Sequence, residues 1–240
     1  MKKKTAAVLG VLAVVTAAFF LYTADYYHAD ETALQALSSD EVLVEKTDTG
    51  WFFDGPGGEA VLVFYPGAKV EETAYAPLLH RIAALGVDTS LVRMPWRLAI
   101  FAPNRAADVE EAKGYGKLCL AGHSLGGVAA SSYARSHAGE VQGLVLCASY
   151  PTDDLGPDLQ VLSIYGSADG VLNRDAYEKA KGFWPESASE IVIEGGNHAQ
   201  FGSYGFQDGD GEAQISPKEQ WDQAASAIAS FVRGTGGASE

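Results

Sequence analysis

The sequence has few residues that could crosslink the chain. Its 240 residues include only two cysteines. Cys119 and Cys147 each lie in an apolar run typical of a buried strand, "KLCLAG" and "GLVLCAS". Cysteines at strand centres rarely have the Cβ geometry of a disulfide, so we expect two buried free thiols.

Patterns of metal ligands are missing as well. Neither the cysteines nor the five histidines have the spacing of a metal site, which argues against a metallohydrolase. The acidic loop 207–212, "QDGDGE", resembles part of a calcium loop. It lacks the remaining ligand positions, so a solvated acidic loop is favoured.

Basic residues are scarce relative to acidic ones. Lysine and arginine number 17 against 31 aspartates and glutamates, which gives a formal net charge of -14 at pH 7. Such a surface repels nucleic acid and anionic lipid, and its role in solubility is sufficient to explain it. Hydrophobic residues make up 47% of the chain, and low-complexity tracts are missing. We therefore expect a globular chain whose length suits one domain.

The N-terminus differs from the rest of the chain. Lysines at positions 2–4 precede an uncharged apolar run over residues 5–24, which as a helix would cross a bilayer core of roughly 30 Å. Residues 1–28 thus resemble a signal peptide or a signal anchor, and the bulky ending "FFLYTADYY" favours an anchor. The lysines would stay in the cytoplasm, the anchor would hold the protein in the cell membrane, and residues 29–240 would form an extracytoplasmic domain. Secretion after cleavage is the alternative.

Strand-like and helix-like segments alternate through the rest of the chain. Residues 41–55 alternate in hydrophobicity as a β-hairpin does. Strands that are apolar on both faces then predict a doubly wound, mostly parallel α/β sheet with helices on both faces, whose ligands bind at the carboxyl ends of the strands. Strands are predicted over 59–67, 87–95, 117–122, 141–151, 159–169 and 189–196, and helices over 74–86, 104–116, 125–139, 173–182 and 216–234.

Ser124 stands in the pattern Gly-x-Ser-x-Gly, directly after a predicted strand and directly before a predicted helix. The backbone of so sharp a turn is strained, and a side chain at Gly122 or Gly126 would clash with the neighbouring elements. The turn exposes the serine hydroxyl at the start of the helix, where the Leu125 amide can stabilise an oxyanion. Ser124 is therefore the candidate nucleophile, and a Gly-rich turn with a capping serine is the alternative.

With this motif the chain resembles the α/β-hydrolase superfamily, whose catalytic residues follow in the order serine, acid, histidine. His198, in "IVIEGGNHAQFG" after the last strand, stands where the superfamily has its base. Asp169, in "LSIYGSADG", matches the most common position of the acid, and Asp153/Asp154 match a rarer one. The resemblance thus implies a catalytic triad of Ser124, Asp169 and His198.

The resemblance also concerns the surroundings of the site. The Ala68 amide in "YPGAKV" has the position of the second oxyanion donor, and Lys69 is expected to point to solvent. His123 is expected to point elsewhere on the turn, away from the site. A short polar link after residue 150 predicts that no cap domain covers the site. Aromatic residues could form its walls or belong to the core: Trp96, Tyr150, Trp184, Phe201 and Tyr204.

Within the superfamily the chain looks like the small dienelactone-hydrolase-like branch, as a bacterial, membrane-anchored member. That branch often uses a cysteine nucleophile, and this chain has serine. The resemblance implies hydrolysis of small-molecule carboxylic esters through an acyl-enzyme, with no cofactor. A thioesterase, lactonase or peptidase would use the same triad, and a non-catalytic binding module would share the fold.

Overall fold

The computed structural model of the protein describes residues 2–38, 41–109 and 112–235. An eight-stranded sheet within these ranges consists of β1 (Leu43–Lys46), β2 (Gly50–Asp54), β3 (Ala60–Tyr65), β4 (Asp88–Val92), β5 (Lys117–His123), β6 (Gly143–Cys147), β7 (Gln160–Gly166) and β8 (Ser189–Ile193). The strand order is β1-β2-β4-β3-β5-β6-β7-β8. The predicted hairpin β1–β2 forms an antiparallel edge, and β3 to β8 run parallel.

Predicted helices connect β3 to β4, β5 to β6 and β7 to β8. The α-helices in the described ranges are α1 (Lys2–Ala24), α2 (Glu31–Ala36), α3 (Ala76–Ala84), α4 (Leu125–Ser136), α5 (Arg174–Ala180) and α6 (Pro217–Gly234). The Ser216 hydroxyl and the Glu219 carboxylate form a capping box at the start of α6. These groups satisfy amides that a helix N-terminus otherwise leaves without partners.

Both faces of the sheet are covered. All six residues of β3 are buried, and successive side chains point to opposite faces. Leu62 and Phe64 pack in a core with side chains of α3 and α6, whereas Val63 and Tyr65 pack in a second core with side chains of α4. The predicted doubly wound sheet is confirmed, and the link between β6 and β7 contains no helix.

One predicted helix, over residues 104–116, is wrong in the described part of the chain. A 3-10 turn at Arg105–Asp108 takes its place, and residues 110–111 lie outside the described ranges. The Tyr65 hydroxyl on β3 accepts the Ala106 amide at 2.8 Å. This bond to a distant strand replaces the helical partner of that amide, which helical propensity alone does not reveal.

The N-terminal segment forms α1, whose last turns contact the body. Phe19 packs edge to face on Trp96 and Phe101, with ring centroids 5.4 and 5.8 Å apart. In the part of the chain that the structure describes, no helix has the length and apolar character needed to cross a membrane. The predicted anchor is not supported there.

Both cysteines are free and buried, as predicted. Burial raises the pKa of Cys119 to about 11 and that of Cys147 to about 12. The thiols therefore stay protonated and weakly nucleophilic at neutral pH.

Candidate active site

Ser124 lies on a sharp turn between β5 and α4. Its φ of 52° and ψ of -124° are unfavourable for a residue with a side chain. A Cβ atom on Gly122 would collide with the first turn of α4, and one on Gly126 with the carbonyl oxygens of Tyr65 and Pro66. Glycine is therefore required at position 122 by the close approach of α4 and at position 126 by the close approach of β3, for the reason predicted.

Asp169 and His198 meet beyond the ends of β7 and β8. Oδ2 of Asp169 lies 2.9 Å from Nδ1 of His198, and both side chains are almost fully buried. The other carboxylate oxygen, Oδ1, accepts the amides of Val171 at 2.9 Å and Leu172 at 2.8 Å. The aspartate is thus held by two backbone donors while it orients the imidazole.

Ser124 and His198 line the same cavity of about 230 Å³. Nε2 of His198 is buried and has no hydrogen-bond partner within the described residues. The cavity walls are mainly apolar and come from the segments after β5, β6 and β7, with Val128, Tyr150 and Leu172 among them. The imidazole nitrogen opposite Asp169 is therefore available to a group in the cavity.

The alternative acid, Asp153/Asp154, is not brought to His198. The Asp153 side chain is 67% exposed and lies 3.9 Å from Arg135. Asp154 accepts the amide of Gly156, two residues further on, at 2.8 Å. The geometry thus favours Asp169 as the partner of the histidine.

The two predicted oxyanion donors have amides without acceptors in the described part of the chain. Leu125 is the first residue of α4 and lines the cavity with Ser124. The Ala68 amide lies between two bonded neighbours, since Gly67 donates to the Tyr75 hydroxyl at 3.0 Å and Lys69 to a carbonyl at 2.9 Å. Ala68 does not line the cavity, so its role stays a prediction.

His123 does not point away from the site, contrary to the prediction. Its ring lies 4.4 Å from that of His198, and its Nδ1 forms a 2.8 Å hydrogen bond with the hydroxyl of Tyr75. Burial, together with the neighbouring His198, holds the pKa of His123 well below its ordinary value. A neutral imidazole therefore packs against the candidate base without adding a like charge.

A family model described as "Alpha/beta hydrolase family" matches residues 61–222, which include all of these elements. The chain belongs to this family. No curated protein matches the sequence of this hydrolase.

Solved structures resemble the hydrolase in fold. A bacterial membrane phospholipase A superposes with a TM-score of 0.59 at 14% identity, over 98% of this chain and 99% of that one. A dienelactone hydrolase from Anabaena variabilis gives 0.58 at 13% identity over 81% and 99% of the two chains, and Est1E from Butyrivibrio proteoclasticus gives 0.56 at 13% identity over 81% and 100%. At these identities the likeness concerns the fold alone.

The acidic loop 207–212 of the hydrolase is not simply solvated, because Asp210 accepts backbone amides of the loop that contains His198. Its carboxylate accepts the amides of Gly170 at 3.0 Å, His198 at 3.3 Å, Ala199 at 2.8 Å and Gly211 at 2.8 Å. Over the described residues, no group of three or more acidic, histidine or cysteine side chains could hold a metal ion. This carboxylate therefore serves the backbone around the candidate base.

Ser149 is a neighbour of the site that sequence reasoning missed. Its hydroxyl, beyond the end of β6, donates to the Ser124 carbonyl at 2.6 Å. Ala148, next to it, has a φ of 47° and also lines the cavity. The sequence signal that could have identified Ser149 is its position as a small polar residue just after β6, the strand that pairs with β5.

Lys69 and the aromatic residues named as possible walls of the site have mixed positions. Lys69 forms a 3.0 Å ion pair with Asp25 and is about one fifth exposed, so it does not simply extend into solvent. Phe201 and Tyr204 are buried, and Tyr150 lines the cavity. The aromatic set therefore belongs mostly to the core or to the contact with α1.

Proposed function

We propose that this hydrolase cleaves carboxylic esters through an acyl-enzyme, with Ser124 as nucleophile, His198 as base and Asp169 as the acid that orients His198. The observation that carries the proposal is the buried Asp169–His198 pair. Nε2 of His198 has no hydrogen-bond partner among the described residues, and His198 and Ser124 line the same cavity. A nucleophile, a base and an orienting acid in this arrangement define the reaction class of serine hydrolases.

Each residue has a distinct step in the proposed reaction. His198 takes the hydroxyl proton of Ser124 as the oxygen attacks the ester carbonyl, and it then gives that proton to the leaving alkoxide. Asp169 keeps a proton on Nδ1 and stabilises the imidazolium. Water, deprotonated by the same imidazole, then releases the acid from the acyl-enzyme and restores the serine hydroxyl.

Backbone amides stabilise the charge that develops on the carbonyl oxygen. The Leu125 amide is at the N-terminus of α4, where free N–H groups and the helix dipole favour an anion. We propose Ala68 as the second donor because its amide is free of other acceptors in the described chain. Preorganised donors of this kind contribute about 10²- to 10³-fold each to turnover.

Small, largely apolar acyl groups suit the cavity volume of about 230 Å³. The structural neighbour named as a dienelactone hydrolase is compatible with ester chemistry. Activity over a series of acyl lengths, with thioester, lactone and peptide controls, would separate the esterase from the other reactions that this triad can catalyse.

Ser124→Ala is the direct test. It should lower turnover of p-nitrophenyl esters by roughly 10⁴ to 10⁶ and abolish labelling by a fluorophosphonate probe. Ser136→Ala is the matched control, because this exposed serine at the end of α4 bonds only to its own helix in the described structure. Equal activity of Ser124→Ala and wild type, with both folded, would refute the proposal.

We also propose that the catalytic part is extracytoplasmic. The lysines at positions 2–4 and the apolar run 5–24 support export, with retention at the membrane or cleavage as the two outcomes. Fractionation of cells, followed by mass spectrometry of the mature N-terminus, would distinguish them. Recovery of the intact chain from the cytoplasm would refute export.

A further inference from the structure

Residues 25–30, which follow α1, pack on the loops around the candidate site; we name them the N-terminal strap. Tyr27 donates its amide to the Lys69 carbonyl at 2.7 Å, and its own carbonyl accepts the Glu71 amide at 2.9 Å. The two bonds form a parallel bridge between Tyr27 and Val70. The strap thus extends the backbone pairing of the loop that follows β3.

That loop contains the Ala68 amide, the proposed second oxyanion donor. The next residue, Lys69, has a φ of 57° and donates its amide to the Arg97 carbonyl at 2.9 Å. A residue with a side chain keeps such a conformation only where surrounding contacts impose it. The bond from Tyr27 to the Lys69 carbonyl is one of these contacts, so the strap helps to hold the loop that contains the Ala68 amide.

The side chain of Tyr27 contacts the loop on the histidine side of the site. Its ring lies 5.4 Å from that of Tyr204, and its hydroxyl accepts the Asp208 amide at 3.3 Å. Two residues further along, Asp210 accepts the His198 amide at 3.3 Å. Tyr27 thus contacts both the loop of the proposed oxyanion donor Ala68 and the loop whose Asp210 accepts the His198 amide.

Asp30 fixes the other end of the strap. Its amide donates to the Ser203 carbonyl at 2.9 Å, and its carboxylate accepts the Ser203 hydroxyl at 2.8 Å. The same carboxylate caps α2 by accepting the Ala33 amide at 3.0 Å. The strap is therefore bonded to the body of the protein at Tyr27 and at its last residue, Asp30.

From these contacts we infer that the N-terminal strap positions the active site, with Tyr27 as the positioning residue that holds the Ala68 loop and the His198 loop in register. The inference rests on the proposed function, because it concerns the same site. The two loops carry groups that act on the transition state. Loosening them should therefore lower kcat and leave KM nearly unchanged.

Substitutions at Tyr27 in the full-length protein separate the two contacts. Tyr27→Phe removes the acceptor of the Asp208 amide, Tyr27→Ala also removes the ring contact, and Tyr27→Pro additionally removes the N–H that bonds to Lys69. We expect kcat for p-nitrophenyl butyrate to fall in this order, by about tenfold for Ala and about a hundredfold for Pro, with KM within twofold. Phe206→Ala is the control, since Phe206 is an aromatic residue of the same loop and is 64% exposed.

Hydrogen–deuterium exchange keeps the test independent of ester turnover. In Tyr27→Ala, amides in peptides covering residues 66–72 and 203–211 should exchange faster than in wild type, whereas Phe206→Ala should leave residues 66–72 unchanged. Unchanged exchange in both peptides, or kcat values for Tyr27→Phe and Tyr27→Ala equal to that of Phe206→Ala, would overturn the inference even if Tyr27→Pro does not fold. Failure of the proposed function has a different signature, because wild type and Ser124→Ala would then be equally inactive.

Discussion

Asp169→Asn tests the direction of the hydrogen bonds around the candidate base. Oδ1 of Asp169 accepts the amides of Val171 and Leu172, and Oδ2 faces Nδ1 of His198. In the asparagine variant the carbonyl oxygen must stay with the two amides, because a flipped side chain would point its NH2 group at them. The NH2 group then faces Nδ1, which becomes an acceptor, and the proton of His198 moves to Nε2. A histidine protonated at Nε2 cannot accept the proton of Ser124.

The expected loss in kcat is about 10⁴, as the equivalent exchange causes in a serine protease. At about 1.36 kcal/mol for each factor of ten, this corresponds to about 5 kcal/mol of transition-state stabilisation. The fold should survive, because the asparagine keeps both bonds to the backbone amides and has nearly the same volume as aspartate. We therefore expect kcat to fall while the thermal stability of the protein stays close to that of wild type.

The assay is p-nitrophenyl ester hydrolysis, with thermal unfolding followed by circular dichroism. Asp153→Asn is the matched control, because that side chain is 67% exposed and lies 3.9 Å from Arg135. We expect wild-type rates for the control. A rate for Asp169→Asn within tenfold of wild type in folded protein would refute the assignment of Asp169, and a large loss in Asp153→Asn would favour the other acid.

Three further outcomes are expected. Ser216→Ala removes the cap of α6 and should cost about 1 kcal/mol, seen as a decrease of about 2–4 °C in Tm. With folded pKa values of about 11 and 12, Cys119 and Cys147 should resist iodoacetamide at pH 8 until the chain unfolds, and stability should fall above about pH 9 because the unfolded thiols lose protons first. EDTA should leave activity unchanged because the Asp210 carboxylate already accepts backbone amides; a loss that calcium restores would contradict this.

Local patterns in the sequence are sufficient to predict the sheet and the serine turn. Strands such as β3 and β6 are apolar on both faces because helices cover both faces, so each appears as a continuous hydrophobic run. The turn at Ser124 is recognised from a pattern of five residues between a strand and a helix, although the contact that requires Gly126 comes from the distant strand β3.

These local patterns could not predict contacts between segments that lie far apart in the sequence. The hydroxyl of Tyr75 meets His123 across 48 residues of sequence, and that of Tyr27 meets the Asp208 amide across 181. Asp210 stands in a run of acidic residues that is typical of a solvated loop, yet its acceptors are used by backbone amides. Hydrophobic periodicity contains no information on such pairs, because they depend on how separate loops pack at the edge of the sheet.

The short connection between α1 and the strap limits how far the catalytic domain can move from its N-terminal helix. Ala24 ends α1, and Tyr27 is bonded to the body three residues later, a span of at most about 10 Å. A flexible linker of 20 residues would instead allow excursions of about 25 Å. An attachment that immobilised α1 would therefore keep the candidate site within a short distance of that attachment, and substrate would have to reach the site there.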